Sequence, residues 1–91
     1  MLNISELVNQ FVDKNHKRQI FDERRAVALW SQVNNEIVTK ATRSINIQNG
    51  VLLVRMDNAA LRFELSIIRA DIIKRLNEEL GNNVVKDIVI Q

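Results

Sequence analysis

Ile4, Leu7, Val8, Phe11 and Val12 recur at i, i+3, i+4, i+7 and i+8. That spacing lines one face of an α-helix. Asn3 followed by Glu6 has the spacing of a capping pair, so a first helix is expected from about Ile4 to Lys14. Asn15-His16-Lys17-Arg18-Gln19 is polar and without period, and reads as a loop. Asp22 is a plausible N-cap for a second helix, whose stripe is Ala26, Trp30, Val33, Ile37 and Ala41. Asn34-Asn35 interrupts its good helix formers. A bend or break is expected there, since Asn tolerates the left-handed conformation better than most residues.

The period then falls to two. Arg43-Ser44-Ile45-Asn46-Ile47-Gln48 alternates, Asn49-Gly50 follows, and Val51 to Met56 is the return strand. Asn-Gly is the strongest two-residue hairpin signal, because a type I′ turn needs positive φ at both positions. The turn sets Gln48 opposite Val51, Ile47 opposite Leu52, Asn46 opposite Leu53 and Ile45 opposite Val54. One face then carries Ile45, Ile47, Leu52, Val54 and Met56, and is core. The other carries Ser44, Asn46, Gln48, Val51, Leu53 and Arg55, a mixture that suits solvent or a partner.

Asp57 or Asn58 is expected to cap a long helix ending at Leu80, with Gly81 at C′. Its stripe is Leu61, Leu65, Ile68, Ile72, Leu76 and Leu80, broadened by Phe63, Ile67 and Ile73. Asp71 and Arg75 have i,i+4 pairing distance. Val84 to Ile90 is β-branched enough for a last strand. The order α–α–β–β–α–β predicts an α+β fold, a three-stranded sheet with helices against one face.

The chain has 91 residues, 46% of them hydrophobic. This suits one globular domain spanning 1–91, with little material left for an enclosed pocket. There is no cysteine, which removes thiolate metal sites and fits a reducing cytoplasm. The start, Met-Leu-Asn-Ile-Ser-Glu-Leu, has no basic segment before an apolar run, and no apolar stretch approaches the ~20 residues of a bilayer span. A soluble protein is expected. Net charge is +2, yet from Lys14 to Arg75 twelve Lys/Arg face six Asp/Glu. A basic middle is compatible with a polyanion partner, but charge alone favours ordinary surface charge kept for solubility.

Catalytic groups are scarce. A Ser-His-Asp or Cys-His constellation needs a histidine base and an activated nucleophile, and the one histidine, His16, lies in the polar stretch beside Lys17 and Arg18 and reads as a solvated loop residue. With one histidine and no cysteine, only an all-oxygen metal site is open. The pairs Asp22-Glu23 and Glu78-Glu79 suit a helix start and a solvated face instead. The two glycines serve a turn and a helix stop, so no phosphate loop is present. No cofactor, metal or small-molecule substrate is expected. Trp30 could stack a base if exposed, but its place on the stripe favours core packing. Phe63 suits a partner surface or packing against the first helix equally. Two basic groups stand out: Lys40, Arg43, Arg55 and Arg62 around the hairpin, and Lys17, Arg18, Arg24 and Arg25, with Lys14, on the connection of the first two helices. Arg43 lies on the core side at a strand end and is expected to snorkel outward. Phosphate contacts from such residues give salt-sensitive binding with little sequence preference.

Trp30-Ser31-Gln32-Val33, Thr42-Arg43, Ile47-Gln48-Asn49-Gly50-Val51-Leu52-Leu53-Val54, Leu61-Arg62-Phe63-Glu64-Leu65, Arg75-Leu76-Asn77-Glu78-Glu79-Leu80-Gly81 and Val85-Lys86-Asp87-Ile88 occur in this order. Together they resemble the DciA-like family of bacterial DNA replication, over about residues 5–90. Leu61, where many relatives carry tryptophan, resembles the short forms of Bacteroidetes. The resemblance implies a KH-like domain without an ATPase, which binds DNA and assists loading of the DnaB-type replicative helicase. The basic groups above are then the candidate DNA contacts. A protein-interaction module using Val51 and Leu53 of the open hairpin face or an exposed sheet edge, and RNA binding on a KH-like scaffold, are the alternatives.

Overall fold

The computed structural model describes the backbone of residues 4–91 and the side chains of residues 17–91. In chain order the elements are α1 (Ile4–Val33), α2 (Glu36–Ala41), β1 (Thr42–Gln48), β2 (Val51–Met56), α3 (Ala59–Ile67), α4 (Arg69–Leu80) and β3 (Asp87–Ile90). This is an α+β fold whose helices pack on a three-stranded sheet.

The first 33 residues correct the sequence reading. The loop expected over 15–19 is absent: α1 runs through it unbroken, and Asp22 lies mid-helix rather than at a cap. Lys17, Arg18 and Gln19 are good helix formers. They lack an apolar period because nothing covers them, and residues 17–21 are all exposed. An apolar stripe reports packing, and a solvated stretch of helix needs none. The side chains of the stripe Ile4–Val12, of the capping pair Asn3/Glu6, of Lys14 and of His16 lie outside what the structure describes.

The expected break falls at Asn34-Asn35, for a different reason than left-handed backbone. Asn35 is extended, with φ −76° and ψ 174°, and its side chain accepts a hydrogen bond from Val38 N–H at 2.9 Å. It is the N-cap of α2. Asn34 Nδ2 donates to the Trp30 carbonyl at 2.9 Å, closing the end of α1. Because α2 begins a new axis, the old spacing does not carry across. Ile37, expected in the core, is exposed, and Val38 is buried in its place.

The hairpin forms as expected. Asn49 and Gly50 have φ of 52° and 82°, and the pairing runs Gln48↔Val51, Ile47↔Leu52, Asn46↔Leu53 and Ile45↔Val54. A bulge between Thr42 and Ser44 shifts the last pairs. It turns Arg43 out to solvent, where its Nε–H reaches Asp57. β3 joins β2 in parallel, Leu52 beside Ile88. Parallel neighbours need a crossover, which α3 and α4 supply.

The long helix expected over 58–80 is two. Asn58 caps α3, Gly81 ends α4 in the left-handed conformation, and Ile68 separates them with φ −98° and ψ 14°. Before the break, Ser66 Oγ donates to the Phe63 carbonyl at 2.6 Å, a local bond that competes with helix continuation. The kink re-aims the stripe. Leu65, Ile72, Leu76 and Leu80 are buried, whereas Ile68, Phe63 and Ile67 are exposed. Phe63 therefore does not pack against α1. Asp71 and Arg75 form no ion pair.

The core is one cluster: Ala26 and Trp30 from α1, Val38 from α2, Leu52, Val54, Met56 and Ile88 from the sheet, and the α3–α4 leucines and Ile72. The other sheet face, with Asn46, Gln48, Leu53, Arg55 and Val89, stays open to varying degrees. The last strand is shorter than expected because Val84–Lys86 is held by other bonds. Asn77 on α4 grips Val85 at both ends, Nδ2 to the carbonyl and Oδ1 from the N–H, each at 2.9 Å. Lys86 N–H donates to the Gly50 carbonyl at 2.7 Å. Asn77→Ala would strand both main-chain groups of buried Val85, and is expected to cost about 2 kcal/mol in a urea unfolding titration. A loss under ~0.5 kcal/mol would show that water replaces the amide.

Candidate nucleic-acid interface

The two basic groups read from the sequence have different surroundings. Lys40 pairs with Glu36 at 2.8 Å one turn away on α2. Arg43 pairs with Asp57. Arg62 donates through Nη1 to the Met56 carbonyl at 2.6 Å, tying α3 to the end of β2. Only Arg55 of this group projects from the open sheet face without an ion pair among the described residues. Around the hairpin, cations are thus largely matched by acids or main-chain carbonyls.

On α1 the arrangement differs. At 100° per residue, Lys17, Phe21, Arg24 and Ala28 follow one stripe, which faces away from buried Ala26 and Trp30. Arg18 and Arg25 flank it. All four cations are exposed, and none appears in an ion pair among the described residues. Arg25 Nη2 donates weakly, at 3.4 Å, to the Glu79 carbonyl in the last turn of α4. Its guanidinium carbon lies 5.9 Å from the Phe21 ring centroid, at the outer limit of a cation–π contact.

Phe21 is the residue that the sequence reading missed. Its side chain is 62% exposed, in the midst of Lys17, Arg18, Arg24 and Arg25. With 15–19 read as a loop and Asp22 as the helix start, Phe21 fell outside every stripe. A continuous helix would have put it one turn from Lys17 and Arg25. Beside it, a surface cleft of about 380 Å³ runs between Arg18, Phe21, Asp22 and Arg25 on α1 and the end of α4 at Leu80, Gly81 and Asn82.

This arrangement can hold a polyanion and offer a ring to a planar group. Among the described residues, no three His, Asp or Glu side chains come together as metal ligands. No helix there is long and apolar enough to cross a membrane.

No curated protein is a match for the chain. The family described as "Dna[CI] antecedent, DciA" matches residues 3–90. That span holds both basic groups, the hairpin and the α4–β3 junction. The chain therefore belongs to the DciA family, which is linked to loading of the DnaB helicase and is not a known family of enzymes.

Proposed function

We propose that this protein is a non-enzymatic DNA-binding helper in loading of a DnaB-type replicative helicase, and that its outer α1 face makes the main DNA contact. The observation that carries the reading is the set Lys17, Arg18, Arg24 and Arg25 around exposed Phe21. Cations track phosphates, and an aromatic face takes a base from any sequence. A single strand fits best, because its bases are free to stack. Arg55, with Lys40, Arg43 and Arg62, forms a secondary contact. The exposed pairs of Lys40 and Arg43 are worth little in water and yield readily to a phosphate. Family membership supports the helicase as the protein partner.

Fluorescence anisotropy with a labelled oligothymidylate tests this. Binding is expected to be micromolar or weaker at low salt. About four neutralised phosphates would give a log–log salt slope near −3. Phe21→Ala should weaken binding roughly 5- to 150-fold, the range of one base–aromatic stack. The double reversal Arg24→Glu with Arg25→Glu should weaken it more than ~10-fold and flatten the slope by about 1.4. Arg55→Glu should have the smaller effect. Unchanged affinity in both α1 variants would move the contact elsewhere. A competitor oligouridylate that displaces the DNA at lower concentration would favour RNA.

A further inference from the structure

Beyond nucleic acid, the geometry points to a docking groove for an extended, acidic and apolar peptide segment of a partner protein, which adds to the sheet as a fourth strand beside β1. In the order β1-β2-β3, β1 is an edge. Its main-chain groups alternate between β2 and the open side. The alternation is fixed from two directions. A two-residue turn makes Gln48↔Val51 a hydrogen-bonded pair, so Ile47↔Leu52 and Ile45↔Val54 are the pairs that do not bond to each other. Independently, the Val54 carbonyl accepts from Gln91 N–H at 2.8 Å on the β3 side. Ile45 and Ile47 therefore turn both N–H and C=O off the edge. Among the described residues, no helix, loop or side-chain group bonds to them.

What flanks that edge is a wall of α1. Ile20, Glu23, Arg24 and Val27, at i, i+3, i+4 and i+7, border with Ile45, Asn46 and Ile47 an open groove of about 360 Å³. Ile45, Ile47 and Val27 are half-buried and Ile20 is 38% exposed. A free strand edge beside a helix selects an extended chain, with main-chain bonds for affinity and side-chain contacts at alternate positions for selectivity. The apolar lining asks for Val, Ile or Leu at alternate positions. Charge sets the rest. The wall carries one cation and one anion: Arg24 is exposed and has no ion pair among the described residues, whereas Glu23 is half-buried and accepts a hydrogen bond from Gln19 at 3.0 Å. A carboxylate on the incoming chain meets Arg24.

A second copy of β1 fits less well. Thr42–Gln48 contains no acid, and its one charge is Arg43. A second β1 therefore brings no carboxylate to Arg24. The bulge at Arg43 also ends the regular ladder and limits the edge to a short partner strand.

The test is a panel of short peptides with Val or Ile at alternate positions and Glu or Asp between them, titrated into the full chain and followed by amide NMR and hydrogen exchange. Peptides that bind should slow exchange at Ile45 and Ile47 at least ~10-fold. N-methylating the peptide amides on one alternate set should abolish binding, and methylating the other set should not. Ile47→Pro removes an outward N–H, a change that edge strands tolerate. It should weaken peptide binding at least ~10-fold and leave oligothymidylate affinity unchanged. Phe21→Ala should do the converse, so failure here and failure of the DNA reading are told apart. The proposal is overturned if no panel member protects Ile45 and Ile47. It is also overturned if protection comes from the oligonucleotide alone, if shifts gather on the Val51–Leu53 face, or if the two methylated sets behave alike.

Discussion

Trp30→Ala is expected to lower the unfolding free energy by about 3–5 kcal/mol, the range for truncating a buried aromatic. The indole is 2% exposed, within the cluster that joins α1 to the sheet. Its N–H donates to Thr42 Oγ1 at 3.1 Å, and that hydroxyl donates to the Val38 carbonyl at 2.8 Å. Removing the ring opens a cavity and also unpins the chain where α2 turns into β1. A domain of this size holds roughly 5–10 kcal/mol in all, so the variant should be partly unfolded near body temperature. Trp30→Phe separates the two effects: it keeps most of the packing, drops the indole bond and should cost about 1–2 kcal/mol. Urea unfolding followed by circular dichroism reads both variants, since the single tryptophan is lost as a fluorophore. A loss below ~1 kcal/mol for Trp30→Ala would mean that α1 is not anchored through this residue.

Gly50→Ala is expected to cost about 2–4 kcal/mol, and Gly81→Ala only about 1 kcal/mol. Both glycines have positive φ, 82° and 72°, so both substitutions carry the left-handed penalty of roughly 1–2 kcal/mol at most. They differ in what a methyl group would meet. At Gly50 a Cβ would lie 2.9 Å from the Val84 carbonyl oxygen, a main-chain atom, and 3.1 Å from Lys86 Cγ. At Gly81 nothing lies within 4 Å. Relieving the first clash pushes away the segment that leads into β3, with loss of the bond from Lys86 N–H to the Gly50 carbonyl. The two variants should therefore differ by at least ~1 kcal/mol in unfolding free energy. Hydrogen exchange at Lys86 and Ile88 should speed up in Gly50→Ala alone. Equal costs would show that turn strain, rather than close approach of β3, sets the value of Gly50.

Elements fixed by neighbouring residues were legible along the chain. Asn49-Gly50 specifies a type I′ turn because of its own φ preferences, and the turn sets every pair down to Ile45↔Val54. Gly81 stops α4 for the same local reason. Trp30, Leu65, Ile72, Leu76 and Leu80 were read as core from period alone. The bulge at Arg43 and the kink at Ile68 were not legible. The bulge depends on how β1 must bend to meet a core that no short window contains, and the kink on that core together with the local Ser66 bond.

The candidate site divides along the same line. The residue types that set the range of function, an excess of Lys and Arg, one histidine and no cysteine, are properties of the sequence by itself. Which cations are committed was decided by tertiary structure: Asp57 meets Arg43 across the open end of the hairpin, and the Met56 carbonyl holds Arg62. The exposure of Phe21 and the groove beside Ile45 and Ile47 were also settled there. The physical reason is range. Backbone preference and apolar period act over a few residues, whereas exposure and charge pairing depend on which distant segment arrives alongside.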